Sequence, residues 1–386
     1  MSGFPAPTVA TAGSTDPAAP LVVLLHGRGS HEREIISLAQ HLPPGPAYAA
    51  VRAPIAEGGG YAWFANRGIG RPVPESLRAT MDWFRAWLDS VAPAGRAVVL
   101  VGFSGGAAFA GGLLLDDPAR YAGAAILYGT LPFDAGVPTT PARLAGVPVV
   151  VVHGEQDTVI PRELLDRTWQ YLLGESGAPT VAQQDPGGHG ISPAAVRTVA
   201  DWLSERLDYL ARHGRPEPGP TRWPTTPGGL LPARTGTRPA VNAGIPQEQR
   251  SDNAPADQQE QLFSRVAALP GVTIGQSAIS VPGARGLMLT GAQQGPDDAF
   301  LIPSAGEFAH LHPGHDGSMH LALPLALATD LIAKGWGVAH PLAGVRLTPG
   351  MVMLFGPRDA TELDTTVGIV ATSHAWAAGQ LTEQVG

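Results

Sequence analysis

The chain contains no cysteine. That excludes disulfides, thiolate nucleophiles and cysteine-based metal sites. Lysine is nearly absent, with Lys334 alone among 25 lysines and arginines, a bias that fits a GC-rich genome better than a functional demand. Charged residues make up only 15% and the net charge is −8, which argues against non-specific nucleic-acid binding. Long apolar runs are missing as well. The longest early one, Leu21 to Leu25, is far too short to cross a bilayer, and no basic segment precedes it. Neither a signal peptide nor stable membrane insertion is expected, and a cytoplasmic location is. What is present is a 44% hydrophobic chain of 386 residues, globular in composition and long enough for two domains.

The most informative feature is Gly102-Phe103-Ser104-Gly105-Gly106, directly after the apolar run Ala97 to Val101. A strand entering G-x-S-x-G and leaving in a helix is a nucleophile elbow, whose tight turn needs small residues beside the serine. With 17 serines and 49 glycines in the chain, about 0.3 such matches arise by chance, so the weight rests on the surroundings. Leu21 to Leu25 runs into His26-Gly27-Arg28-Gly29. Val149 to Val152 follows Pro148 and runs into His153-Gly154-Glu155-Gln156-Asp157, and later comes Gly188-His189. Serine, aspartate and histidine stand in the α/β-hydrolase order. Each candidate follows a run that would end at the carboxyl edge of a parallel sheet, where such sheets build their sites.

The chemistry assigns roles. A serine hydroxyl needs a neighbouring base, which His189 would supply, and Asp157 would hold the imidazole in the right tautomer. Backbone N–H groups of Gly105 and Arg28 would meet the oxyanion. Blander readings remain beside these. Asp157 stands where a helix starting near Pro161 would be capped, alone or in addition. His189 could be a surface loop histidine. His26 and His153 read as structural hydrogen-bonders, His31, His41 and His213 as surface residues, and Trp83 to Trp87 as core.

These blocks, with Asp157-Thr158-Val159-Ile160-Pro161 and Gly59-Gly60-Tyr61-Ala62-Trp63-Phe64, make the first 212 residues resemble the carboxylesterase, phospholipase and acyl-protein thioesterase branch of the α/β-hydrolases. The resemblance implies a small hydrolase without a large lid that acts on carboxylic esters, thioesters or lysophospholipids. It also implies that Tyr61, Trp63 and Phe64 bind substrate. One departure is Gly105, where the family usually has glutamine. The backbone donor survives and a side-chain contact is lost, which bears on substrate choice rather than activity.

From Gly214 to Ala256 the pattern breaks. Nine prolines and no periodicity read as a linker or an extended arm. The expected organisation is residues 1–213 as an α/β-hydrolase domain with a mostly parallel sheet, 214–256 as this arm, and 257–386 as a smaller α+β domain. In the last, helices are expected over Gln258 to Leu269, Leu325 to Ala333 and Thr361 to Ala378. Strands are expected over Val272 to Ile279, Gly286 to Thr290, Ala299 to Ile302, Met319 to Leu323 and Met351 to Phe355. On Ser280 to Arg285, Glu307 to Pro313, Asp316 to Pro324, Gly335-Trp336-Gly337, His340-Pro341 and Gly356 to Asp359, this part resembles a family known as luciferase-like domains of unknown function. The family name does not license a light-emitting reaction, and none is expected. The match runs from about Arg222, so the arm could belong to this domain.

Five histidines, His310, His312, His315, His320 and His340, fall within 31 residues, with Glu307 and Asp316 among them. His310 and His312 would share one face of a strand. The cluster leaves three readings open: a small-ligand pocket, a metal site, or scaffolding and protein contact. No metal or other cofactor is committed. Arg285 and Arg358 are candidates for an anionic ligand, Arg358 equally for a helix start. The whole chain reads as a serine hydrolase of carboxylic esters or thioesters, with a small-molecule substrate and an accessory C-terminal domain. The alternative is an idle hydrolase fold that binds a small ligand or a protein.

Overall fold

Valine- and alanine-rich runs with no polar alternation build one sheet, as strands buried on both faces do. A computed structural model describes residues 3–289 and 295–381. Strands β1 (Val9–Gly13), β2 (Leu21–Leu25), β3 (Ala47–Val51), β4 (Val98–Phe103), β5 (Gly123–Leu127), β6 (Val149–Gly154) and β7 (Thr180–Asp185) form a seven-stranded sheet in the order β1-β3-β2-β4-β5-β6-β7. Only β1 pairs antiparallel, with β3; the other five pairings are parallel. The chain divides into two compact units, Met1–Leu172 with Thr180–Gly214, and Leu173–Pro179 with Arg215–Gly386.

In the first unit, α1 spans Pro74–Val91, as its apolar spacing predicts. It begins on a proline, which has no N–H to leave unpaired, and buries Leu77, Met81, Phe84 and Leu88. Trp83 and Phe84 are core residues, and the Trp83 indole N–H donates to the Pro5 carbonyl. Helix α2 (Gly105–Asp116) is buried from Gly106 to Leu115. Its small residues let it lie on the sheet: a Cβ on Gly106 would stand 2.1 Å from the Leu25 carbonyl oxygen. Helices α3 (Arg162–Gln170) and α4 (Pro193–His213) follow β6 and β7, and the Ser192 hydroxyl caps α4 by accepting from Ala195 N–H.

The second unit is α+β. Helix α5 spans Ala256–Ala267. Strands β8 (Val272–Gln276), β9 (Arg285–Leu289), β10 (Glu307–Leu311) and β11 (Met319–Ala322) follow, then α6 (Leu325–Ala333), β12 (Gly337–Ala339), β13 (Met351–Leu354) and α7 (Ala360–Ala377). The sheet is antiparallel throughout, in the order β8-β9-β10-β11-β13-β12. Most elements lie where the periodicity predicts. The expected strand over Ala299 to Ile302 does not form. Prolines 296 and 303 each open a 3-10 turn there, and Ile302 makes one isolated bridge to Glu307. Strand β12 was too short for its pattern to show. Thr290, at the end of an expected strand, lies outside the described residues.

The proline-rich stretch is joined to this second unit by specific side chains. Trp223 is fully buried and its indole N–H donates to Asp330 at 2.8 Å. Arg234 pairs with Glu362 at 3.0 Å, and the Trp336 indole donates to the Pro232 carbonyl. Gln247 and Gln249 are buried, the first donating to the Ala339 carbonyl on β12.

Candidate active site

Ser104 sits between β4 and α2 with φ 55° and ψ −115°, a conformation most L-residues avoid. The turn exists because its neighbours lack side chains. A Cβ on Gly102 would fall 2.3 Å from the Gly106 carbonyl oxygen, and one on Gly129 would fall 2.7 Å from that of Ser104. The Ser104 N–H donates to Leu127 at the end of β5, pinning the elbow to the sheet. The hydroxyl is thereby held out above the sheet's carboxyl edge.

His189 stands between the other two candidates. Its Nε2 lies 2.8 Å from Ser104 Oγ and its Nδ1 2.8 Å from Asp157 Oδ2. The Asp157 carboxylate is fully buried, while the imidazole keeps 15% of its surface. Asp157 also holds the turn that follows it: its Oδ1 accepts from Val159 N–H at 2.8 Å and Ile160 N–H at 3.0 Å. The helix-cap reading is not met: α3 begins at Arg162 behind Pro161 with no side-chain cap, and the Asp157 oxygen is taken up by amides that precede it. The loop carrying His189 is pressed onto the end of β6, where a Cβ on Gly154 would meet the Gly188 carbonyl at 2.3 Å, and Gln156 N–H donates to Gly187. The Phe103 ring lies 5.4 Å from the imidazole, centroid to centroid.

Arg28 and Gly105 come together beside the serine. A Cβ on Gly105 would stand 3.3 Å from the Arg28 backbone nitrogen. Gly105 opens α2, so its N–H has no intrahelical carbonyl to reach. The Arg28 side chain points elsewhere: it pairs with Glu57 through two nitrogens and donates to the Phe64 carbonyl at 2.9 Å. Gly29 N–H donates to Tyr61, and Tyr61 N–H returns a bond to Ser30. The loop is thus clamped with the Arg28 backbone nitrogen beside the elbow. His26 lies beneath it, donating from Nδ1 to Gly27 and accepting Ala53 N–H at Nε2. Burial pushes its pKa below 6.5, as it does for His153. Neither reaches the serine, in keeping with structural roles.

A cavity of about 620 Å³ opens over Ser104 and His189. Trp63 and Phe64 line it, as the resemblance implies, Trp63 being stacked on Phe109 at 4.4 Å. Tyr61 does not. It lies on the hairpin strand Gly60–Ala62, and the Arg52 guanidinium packs over its ring at 4.7 Å. The remaining apolar wall comes from Ile35, Leu38, Ile69, Val159 and Ile191, and His41 is at the rim. Sequence reasoning missed these because they lie on a four-residue helix, a 3-10 turn and loops, which have no readable period.

In the second unit the histidines divide. His310, His312, His320 and His340 are buried and line a second cavity of about 240 Å³. His315 is not with them: its side chain is 64% exposed on the turn after β10, where it faces Glu248. His310 Nδ1 bonds Glu307 at 2.8 Å and His312 Nδ1 bonds Asp316 at 2.6 Å. Burial lowers the pKa of His310, takes His320 well below 6.5 and brings His340 to about 3. Burial alone would raise both acids. Hydrogen bonds from His310, Ser277 and Ala278 to Glu307, and from His312 and Ser318 to Asp316, hold them below the usual carboxylate range. Burial thus favours neutral imidazoles at His310, His320 and His340, and the hydrogen bonds favour ionised carboxylates at Glu307 and Asp316. Arg285 and Arg358 are engaged within the unit, Arg285 with Glu260 and Arg358 with Glu362.

Comparison with known proteins finds relatives for both halves of the chain. The Phospholipase/Carboxylesterase family profile matches residues 7–207, and the Luciferase domain profile matches residues 305–373. MhqD of Bacillus subtilis (strain 168), provisionally described as a hydrolase, is 26% identical over 192 residues, covering 48% of this chain and 94% of that protein. A luciferase of Armillaria ostoyae is 28% identical over 229 residues, covering 54% of this chain and 79% of the relative. Among solved structures, a carboxylesterase from Mesorhizobium loti shares 26% identity at a TM-score of 0.44, covering 50% of this chain and 98% of that one. With the family profile spanning more than half its length, this chain belongs to the phospholipase/carboxylesterase family of α/β-hydrolases and carries a luciferase domain behind the hydrolase domain.

Proposed function

We propose that the chain hydrolyses carboxylic esters or thioesters of small molecules through an acyl-enzyme on Ser104. The observation that carries this reading is His189, bonded at 2.8 Å to both Ser104 and Asp157 at the floor of an open, largely apolar cavity. Ser104 Oγ attacks the acyl carbon while His189 Nε2 takes its proton. Asp157 keeps the Nδ1 proton in place and stabilises the imidazolium. The oxyanion receives the N–H groups of Gly105 and Arg28, each such donor being worth about 2.7–4 kcal/mol. His189 then protonates the leaving alcohol or thiol, and a water activated by the same imidazole releases the acid.

The apolar walls favour an acyl group with a hydrocarbon tail. Gly105 leaves open the space that a glutamine side chain would take, so discrimination falls to the walls. The reading includes no nucleic acid and no membrane insertion; no helix among the described residues is long and apolar enough to cross a membrane. The C-terminal domain is accessory to this reaction.

The test is hydrolysis of p-nitrophenyl butyrate, with labelling by a fluorophosphonate, for wild type and Ser104→Ala. Turnover and labelling by wild type alone are expected. If wild type neither turns over nor labels, the hydrolase reading fails and a binding module becomes the better description.

A further inference from the structure

The buried histidines of the second unit carry chemistry that the ester hydrolase reading does not use. Three nitrogens face one another there. His310 Nε2 and His312 Nε2 each lie 3.1 Å from His320 Nδ1, and all three fall within 4.8 Å of one another. The hydrogen-bond partners on the far side of each ring decide which nitrogens hold protons. Gln247 donates its amide N–H to the Ala339 carbonyl at 3.1 Å, so its Oε1 is the atom 3.1 Å from His320 Nε2. His320 must donate there, which leaves Nδ1 a lone pair. His310 Nδ1 faces a Glu307 oxygen and His312 Nδ1 faces an Asp316 oxygen, and both donate. Their Nε2 atoms are lone pairs as well. Three lone pairs thus converge, an arrangement that repels itself unless a cation sits among them.

We propose that His310, His312 and His320 bind one divalent transition-metal ion whose remaining coordination position opens into the adjoining cavity. The two 3.1 Å edges are close to the about 3.3 Å edge of a tetrahedron with metal–nitrogen bonds near 2.05 Å. Neutral imidazoles suit zinc, iron, nickel or copper rather than magnesium or calcium. The two carboxylates are the outer partners that metal-bound histidines commonly have, setting the tautomer and raising ligand basicity. Three protein ligands leave a position for an exchangeable fourth ligand, the pattern of a reactive rather than a structural site. The cavity in front is walled by Ile245, Pro246, Ile279, Val281 and Met351. It would take a small molecule with an apolar body and an anionic oxygen. His340 is a donor rather than a ligand: its Nδ1 accepts Leu342 N–H at 3.1 Å, so Nε2 carries the proton.

The carboxylates provide a test that leaves the shape of the site unchanged. Glu307 Oε2 accepts Ala278 N–H at 2.8 Å, so in Glu307→Gln the amide oxygen stays there and the NH₂ turns to His310. Asp316 Oδ1 accepts Ser318 N–H at 3.1 Å, so Asp316→Asn turns its NH₂ to His312. Each variant moves a proton onto an inward Nε2 and blocks a ligand. The experiment uses the full chain stripped of metal and titrated with Co(II), followed by competition with Zn(II). One equivalent should bind, with the intense visible bands of four- or five-coordinate cobalt, and zinc should displace it. Glu307→Gln and Asp316→Asn should each lose roughly 10- to 100-fold in affinity, and His315→Ala should lose none. Imidazole ¹⁵N shifts should report the tautomer change in the metal-free variants. A wild-type spectrum that stays that of hexaaqua cobalt would overturn the proposal and leave a shared proton as the occupant. Equal affinity in wild type and both carboxylate variants, with the tautomers shifted, would overturn it too.

Discussion

At the residue scale, both units use one device: a carboxylate with one oxygen on backbone N–H groups and the other on a histidine Nδ1. In the first unit Asp157 gives Oδ1 to Val159 and Ile160 and Oδ2 to His189. Asp157→Asn must keep its carbonyl oxygen on those amides, so its NH₂ faces Nδ1. His189 is then protonated on Nε2 and cannot take the Ser104 proton. A drop in kcat of about 10⁴ is expected, as for other buried triad aspartates. The thermal midpoint should hardly move, since the bonds to Val159 and Ile160 survive. Steady-state kinetics beside a melting curve checks this, and a loss of activity that merely followed a loss of stability would refute it. Ser104→Ala removes the proposed nucleophile without touching the Asp157 turn and should melt like wild type. The candidate triad residues themselves were legible in the sequence because their types are irreplaceable for the proposed chemistry. That Asp157 does not cap the following helix was not, since the cap reading assumed a helix start that Pro161 moves to Arg162, beyond reach of the turn that Asp157 holds.

At the scale of elements, the site depends on how closely α2 and the donor loop approach the sheet. Gly106 lies against the Leu25 carbonyl, where a Cβ would stand 2.1 Å away, and the contact is backbone rather than a flexible side chain. Gly106→Ala should therefore cost about 1–3 kcal/mol by overpacking, measured by urea unfolding, and should also displace Ser104 and lower kcat. An unchanged midpoint would show that α2 shifts freely. The Arg28–Glu57 pair belongs to this scale as well. Arg28→Ala keeps the backbone donor but frees the loop from Glu57 and Phe64. Activity should fall about 10-fold or more, within the range that misplacing one oxyanion donor allows, with KM little changed. Helices α1 and α6 were legible end to end because apolar spacing and a proline or polar start agree. The strand expected over Ala299 to Ile302 failed because prolines 296 and 303 impose turns that override its apolar content.

At the scale of the whole molecule, the response to pH follows from buried neutral histidines. His26 and His153 have pKa values lowered below 6.5, chiefly by burial. The unfolded chain takes up protons on them below about pH 6.5 and the folded chain does not until lower pH. Their contribution is therefore complete above that pH and is lost as it falls. Unfolding free energy should decrease from about pH 7.5 to about pH 5.5, and His26→Gln, which keeps a donor and an acceptor, should flatten that slope. A slope unchanged in the variant would count against this account. The sequence by itself determined where in each part the candidate chemistry lies. The order of Ser104, Asp157 and His189, the small residues around the elbow, and the crowding of histidines after residue 307 follow from residue type and spacing alone. Tertiary structure decided what spacing cannot carry: that His315 turns outward while His340 joins the cluster from β12's end, that Tyr61 packs on Arg52 instead of lining the cavity, and that Gln247 sets the tautomer of His320 across 73 residues. Each of these depends on a partner outside the residue's own element, and local propensity has no knowledge of that partner.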